Sequence, residues 1–427
     1  MKVAVVGAGW AGCAAAVEVV RQGHAVTLFE AARVPGGRAR RVDHHGGEGN
    51  LDNGQHILIG AYTETLALMA ELGIDLDRAL FRMPLTLRQP DGSGVALPGL
   101  GWLPAALQAL VGIGGAKGWT LGDKASLLRT ALAWQARGFR CSAEASVADL
   151  CAALSPTVMA TLIEPLCVSA LNTPTECASG AVFLRVLRDS LFAERGGSNL
   201  LLPRVDLSAA LPDAALAWIG EKGAPVHLGR RVQSVQPVPG GSWLVDQENF
   251  DAVVLACPPA EAIRLVAQAF EGEAASVADW LGHARAIRYE AITTVYARAE
   301  GLRLPLPMLA LVAEPAQFVF DRGQLGGPVG LMAFVVSASQ GDSAQLTREV
   351  LAQGCRQLLI AQLSPVKTMV EKRATFACTP GLVRPAPQVA PGLLACGDYV
   401  EGPYPATLEG AVRSGLQAAR LLKNQIG

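Results

Sequence analysis

Lys2-Val3-Ala4-Val5-Val6-Gly7-Ala8-Gly9-Trp10-Ala11-Gly12 opens the chain, and Ala25-Val26-Thr27-Leu28-Phe29-Glu30 follows shortly after. An apolar run that ends in glycines reads as a buried strand, and the second run reads as another. Ala11 to Gln22 between them carries a helical pattern. Strand, glycine turn, helix and strand make a βαβ unit. Gly7 permits the tight turn, Gly9 lets the backbone approach a pyrophosphate, and Gly12 lets helix and strand pack closely. With Ala8, Trp10 and Ala11 they form a loop that presents a phosphate to the positive end of a helix. Glu30, at the end of the second strand, is placed to accept hydrogen bonds from ribose hydroxyls.

Working outward, 427 residues exceed one ordinary core, so two or more domains are expected. Acidic and basic residues nearly cancel, 37 against 36, and no long basic run occurs. Electrostatics therefore give no case for nucleic acid as a partner. Nine cysteines with irregular spacing and no CxxC argue against a disulfide framework or a metal site, and point to a reducing cytoplasm. Trp10-Ala11-Gly12-Cys13 faintly resembles a lipoprotein cleavage site, but only Lys2 precedes it as a cation, and a nucleotide-binding turn accounts for it better.

Helices are expected over 63–73, 121–137, 147–154, 156–166, 182–191, 260–271, 274–283, 344–363 and 408–424. Strands are expected over 225–228, 231–235, 243–245, 252–256, 293–298, 318–320, 329–336 and 393–396. From Gly92 to Ala116 no charged residue occurs, yet Pro98, Pro104 and several glycines interrupt the run. It reads as a broken, apolar lid or surface helix, or else as a buried helix and loop. The second glycine cluster, Gly112 to Gly118, lacks a preceding strand and a following acid, so it is no nucleotide loop.

Gly36-Gly37-Arg38, just after Glu30, separates FAD from other dinucleotides. It resembles the FAD-dependent amine oxidases and the carotenoid or squalene-type desaturases. The resemblance implies that these residues approach the cofactor's phosphates and ribityl chain, where an Arg fork suits phosphate. Gly397-Asp398 and Ala406-Thr407-Leu408-Glu409-Gly410-Ala411 match the same family. By that likeness Asp398 bonds the ribityl or pyrophosphate region, and the amides near Ala406, Thr407 and Leu408 face the flavin N1/O2 edge. Val232 matches the strand residue that meets the adenine. The implied fold is α/β: a Rossmann-type FAD-binding domain of a GR2-like flavoprotein, with an interleaved α+β substrate domain. Residues 1–85, 190–280 and 385–427 fall to the first, and 86–189 and 281–384 to the second.

A narrower likeness rests on Leu51-Asp52-Asn53-Gly54-Gln55-His56, Leu201-Leu202-Pro203-Arg204-Val205, Gln317-Phe318-Val319-Phe320-Asp321-Arg322 and Gly397-Asp398-Tyr399. Together they resemble the squalene-associated FAD-dependent desaturases, now understood as hydroxysqualene dehydroxylases of hopanoid biosynthesis. Phe318 stands where Trp is expected. The likeness implies non-covalent FAD, with Gly54, Gln55 and His56 close to the flavin. It also implies reductive loss of an allylic hydroxyl from a triterpenoid, and an electron-donating reductase as a possible partner. Such chemistry needs an acid. His56 is the first candidate because its pKa crosses neutrality readily, and Asp52 is the second. A water-insoluble substrate implies a peripheral location on the inner membrane, with Leu97 to Ile113 as the contact. Rival readings are a carotenoid desaturase, an amine oxidase and a non-catalytic FAD-binding partner in lipid synthesis. No Lys occurs between Lys222 and Lys367, against the habit of many amine oxidases.

Overall fold

The computed structural model describes residues 1–43, 51–100, 105–193, 196–271, 274–313 and 315–423. The opening unit comprises β1 (Lys2–Val6), α1 (Trp10–Arg21) and β2 (Ala25–Glu30). β1 and β2 pair in parallel, Lys2 opposite Ala25 and Val6 opposite Phe29. They belong to a six-stranded sheet ordered Val226–Leu228, β2, β1, Ala252–Leu255, Leu393–Ala395, Gln388–Ala390. Only the outermost pair, Leu393–Ala395 with Gln388–Ala390, is antiparallel.

A parallel sheet must be covered on both faces, and alternate residues show how. Val3, Val5, Leu28 and Val254 face α1 and the helix Leu408–Lys423. Ala4, Val6, Phe29 and Leu255 face the other way, into the core that also holds the three-stranded antiparallel meander of residues 235–250. Burying one such Val or Leu fully is worth roughly 1.5–3 kcal/mol. The glycine turn after β1 is thus fixed to a rigid scaffold.

A second sheet is antiparallel and five-stranded, in the order Met308–Ala310, Phe318–Asp321, Leu331–Val336, Tyr289–Arg298, Ser364–Phe376. The helix Ser343–Gln357 covers one face through Leu346 and Val350. A Cβ on Gly354 would stand 2.8 Å from the Phe334 ring, so glycine sets how closely this helix approaches. The opposite face carries Phe318, Phe320 and Val335 toward the core under the first sheet.

Three expectations need correction. The helix expected over 344–363 ends at Gln357, and Leu359 turns back with φ 54°. Ser364–Phe376 is a thirteen-residue strand where none was expected. It lies at the sheet edge, and its charged Lys367, Glu371, Lys372 and Arg373 mask the period-two pattern. The strand expected over 231–235 begins only at Val235. The uncharged stretch is broken, as the prolines required: Gly94–Ala96 is a strand paired with Thr86–Arg88, and Ala105–Gly114 is a helix.

Candidate cofactor and substrate site

The turn after β1 is held from both sides. Gly7 N donates to Phe29 O at 2.7 Å, and Gly36 N donates to Ala8 O at 2.8 Å, so the two glycine motifs dock on each other. Gly7, Gly36 and Gly37 have φ of +117°, +116° and +63°, which side-chain-bearing residues rarely adopt. A Cβ on Gly12 would lie 1.9 Å from Gly7 O, and one on Gly37 would lie 3.3 Å from Gly9 Cα. The space kept open borders the N-terminus of α1, whose first turn holds no acid to neutralise it. Glu30 accepts from Ala8 N and Ala32 N, both at 2.7 Å, at the end of β2.

Arg38 links the two sheets. One nitrogen donates to Ala374 O at 2.8 Å and another pairs with Asp398. Burial opposes its charge, but the Asp398 carboxylate more than compensates and raises its pKa. Asn53 donates to Arg38 O at 3.2 Å and to Glu371 at 2.9 Å, so the unforeseen edge strand supplies part of the wall.

The resulting cleft measures ≈ 390 Å³, within the range of small-molecule sites. Of the residues named from sequence, Gly9, Trp10, Ala11, Gly36, Gly37 and Arg38 line it on one side. Gly54, Gln55 and His56, and Gly397, Asp398, Ala406, Thr407 and Leu408, line it on the others. Gly7, Ala8, Gly12 and Glu30 stand behind the wall and shape it, and Val232 is not part of it. Val232 is buried, and its carbonyl accepts from Arg264 at 2.8 Å.

Asp52 is not brought to the cleft. It is buried, and Oδ1 accepts from Leu207 N at 2.8 Å. Burial pushes its pKa up to about 6, against the Leu207 hydrogen bond and the Arg322 charge. His56 does reach the cleft, with Nδ1 3.0 Å from Gly54 O. That carbonyl fixes the proton on Nδ1, so the neutral ring offers a lone pair at Nε2. Burial lowers its pKa, and the nearby Arg38 charge adds to this despite the Gly54 bond. Near neutral pH the ring is a hydrogen-bond acceptor, not a proton donor.

A second, apolar cavity of ≈ 120 Å³ opens off the first. Leu85, Leu87, Phe183, Leu187 and Met308 line it. Ile57, Tyr62, Ser169, Ala170, Phe318 and Thr407 line both spaces. Among the described residues Tyr62 is the titratable side chain that lines both spaces, and sequence reading missed it. Burial, and after it the Glu409 charge, raises its pKa, against an opposing contribution from the Thr407 hydroxyl. It therefore keeps its proton at working pH. Its position ten residues after Asp52, outside the quoted motif, left no signal.

The cleft fits FAD on two observations. The Tyr399 hydroxyl is buried at its wall without a partner among the described residues. The Gly9–Gly37 cradle is a place that a Cβ would fill. Fold and cleft define an FAD-dependent oxidoreductase. The family described as flavin containing amine oxidoreductase matches residues 10–423, and the chain belongs to it. Hydroxysqualene dehydroxylase of Rhodopseudomonas palustris is 30% identical, with 98% of this chain and 97% of the relative covered. That of Sinorhizobium fredii is 24% identical with the same shares covered. Zeta-carotene desaturase of Zea mays is 40% identical over only 18% of this chain and 13% of its own. Among solved structures, cyclohexylamine oxidase from Brevibacterium oxydans superposes with a TM-score of 0.65 at 17% identity, over 100% of this chain and 99% of that one. At that identity the likeness is one of fold.

Proposed function

We propose that this enzyme converts hydroxysqualene to squalene by reductive removal of its allylic hydroxyl. The observation that carries the reading is the apolar cavity joined to the cofactor cleft at a single protonated phenol. The two hydroxysqualene dehydroxylases alike over the full chain support it. Bound reduced FAD supplies the hydride. The chain's own residues do the rest. Gly9, Gly36, Gly37, Arg38 and Asp398 hold the pyrophosphate and ribityl chain, and Glu30 the ribose. The amides at Ala406 to Leu408 would meet the flavin. Leu85, Leu87, Phe183 and Met308 keep the hydrocarbon dry. Tyr62 protonates the departing hydroxide, so that water leaves as the C–H bond forms and the C–O bond breaks. His56 orients the alcohol by accepting from it.

A desaturase needs no donor for a leaving hydroxyl, and the Zea mays likeness is confined to a short segment. Among the described residues no Lys lines either cavity, against an amine oxidase of the usual kind. FAD is held without a covalent bond: burial pushes the Cys257 thiol at the cleft up to about 12, so it stays protonated and unreactive. The proposal assigns FAD to residues 1–85, 190–280 and 385–427, around the parallel sheet, and the substrate to residues 86–189 and 281–384, whose antiparallel sheet floors the apolar cavity.

Among the described residues no helix is long and apolar enough to cross a membrane. The substrate enters from a membrane surface, on the cytoplasmic side of the inner membrane, through Leu97 to Ile113. Leu107, Leu110 and Val111 of that segment are exposed, while Trp102 and Leu103 lie outside the described residues. Electrons come from outside the chain, from a separate reductase or from free reduced flavin.

Anaerobic mixing of photoreduced enzyme with hydroxysqualene tests the reaction. Squalene should form in step with flavin reoxidation; reoxidation without squalene sinks the proposal. His56→Ala should keep its flavin and react within about tenfold of wild type.

A further inference from the structure

The helix Leu121–Ala136 follows the apolar helix Ala105–Gly114 and packs beside it. Its inner face is ordinary: Leu127, Thr130 and Trp134 are buried. Its outer face is not. Leu121, Leu128 and Leu132 are exposed, Leu121 to 84%. At 100° per residue these three fall within about 20° of one line along the helix. Lys124 lies about 60° to one side of that line and Arg129 about 80° to the other. Leu107, Leu110 and Val111 of the neighbouring helix are exposed as well.

Residues 105–140 carry five cations, Lys117, Lys124, Arg129, Arg137 and Arg140, in a chain whose overall charge is −1. The only acid among them is Asp123, which is buried and caps the helix by accepting from Thr120. Among the described residues none of the five cations is in an ion pair; Lys124 donates only to Gly114 O. Elsewhere arginines are commonly paired, as Arg231 and Arg264 are with Glu261.

We propose that this face docks on anionic phospholipid, and that its cations select such a bilayer over a neutral one. The proposal rests on the reading that a membrane feeds the cavity, and it names the lipid. Three observations converge. The leucine stripe flanked by Lys and Arg is the pattern of a helix lying in the headgroup plane, its apolar side down and its cationic stems reaching outward. The charge is complementary to an anionic leaflet, and uncompensated cations there strengthen binding. The face is also continuous with the substrate route: Ala105–Gly114 packs on the turn Asp189–Ala193, whose Asp189, Ser190 and Leu191 line the apolar cavity. A second copy of the chain fits poorly. A two-fold contact brings a patch onto itself, here Lys124 and Arg129 against their own copies.

Flotation of the holoenzyme with two vesicle types tests this: phosphatidylcholine alone, and phosphatidylcholine containing phosphatidylglycerol. Binding should be at least about tenfold tighter on the anionic vesicles at low salt, and the gap should close as salt shortens the Debye length below ~10 Å. Combined Lys117→Gln, Lys124→Gln, Arg129→Gln, Arg137→Gln and Arg140→Gln should abolish the preference while binding to neutral vesicles persists. Leu121→Ser, Leu128→Ser and Leu132→Ser together should weaken binding to both. Flavin absorbance confirms that each variant is folded. Equal binding to both vesicle types overturns the lipid selection and leaves membrane entry standing. No binding to either overturns both. A change of sedimenting mass in the leucine variant, without vesicles, shows that a second copy covers the face and overturns the proposal.

Discussion

At the cofactor cleft glycines stand where no Cβ fits; on the Ala105–Ala136 face leucines stand where no described residue covers them. The first region is determined by contacts a fraction of an ångström from clashing, and each residue there answers to a neighbour. The second is determined by what lies outside the chain. The difference separates two kinds of sensitivity. Substitution of a cleft glycine should cost folding and cofactor together. Substitution on the face should cost neither and change only where the enzyme works.

The sharpest way to break this contrast is Gly12→Ala. Its Cβ would lie 1.9 Å from Gly7 O, and relieving such a contact costs roughly 3 kcal/mol or more. The expected product is colourless or insoluble protein; a yellow, normally stable one refutes the tight packing. Next in size is Tyr62→Phe. It keeps the ring and the flavin but removes the phenolic proton at the junction, so single-turnover dehydroxylation should fall by about 10²–10⁴. A rate within tenfold assigns the proton elsewhere.

Glu30→Ala follows. Losing a charge-assisted ribose contact should weaken FAD by roughly 1.5–3 kcal/mol, read as flavin released on dilution. Asp52 gives a pH dependence. Burial holds its folded pKa at about 6, above the ordinary carboxylate range. The folded state therefore binds its proton more tightly than the unfolded chain. Stability from this group is full below about pH 4 and is lost as pH rises through about 6, by roughly 2–3 kcal/mol. Asp52→Asn, which still accepts from Leu207 N, should flatten that slope in thermal melts between pH 4 and 7 and retain FAD. An unchanged slope places the titration in another group. The smallest effect belongs to the face. Leu110→Ser should leave stability within about 0.5 kcal/mol of wild type, while vesicle binding falls severalfold. Lost stability would mean that Leu110 is covered by the protein itself.

What sequence could and could not disclose follows the same division. Gly7, Gly9, Gly12, Glu30 and Gly36 to Arg38 were legible because backbone geometry leaves one residue type for each task. Strands buried on both faces, such as Ala252–Leu255, announce themselves as apolar runs. Ser364–Phe376 did not, since an edge strand is polar on its free side, and with it Glu371 and Ala374 of the cleft went unforeseen. Asp52 and His56 are four residues apart, yet one turns toward Leu207 and the other into the cleft. Side-chain direction in an irregular loop has no period to read. Tyr62 became visible only when the Thr407 helix was brought against it.

The parallel sheet sets β1 directly beside Ala252–Leu255, and that strand beside Leu393–Ala395. α1 is gripped by the helix Leu408–Lys423, where a Cβ on Gly415 would stand 2.1 Å from Ala11 O. During synthesis, then, the glycine loop is made several hundred residues before the segments that finish it. A nascent chain that stops short of Leu393 lacks both the strand and the helix that close the cleft, and it has no means of retaining flavin. Such long-range pairing slows folding and leaves apolar strands waiting in the open. Cofactor supply during expression should therefore matter most at chain release, and a ribosome stalled before residue 390 should carry a chain that chaperones and proteases recognise.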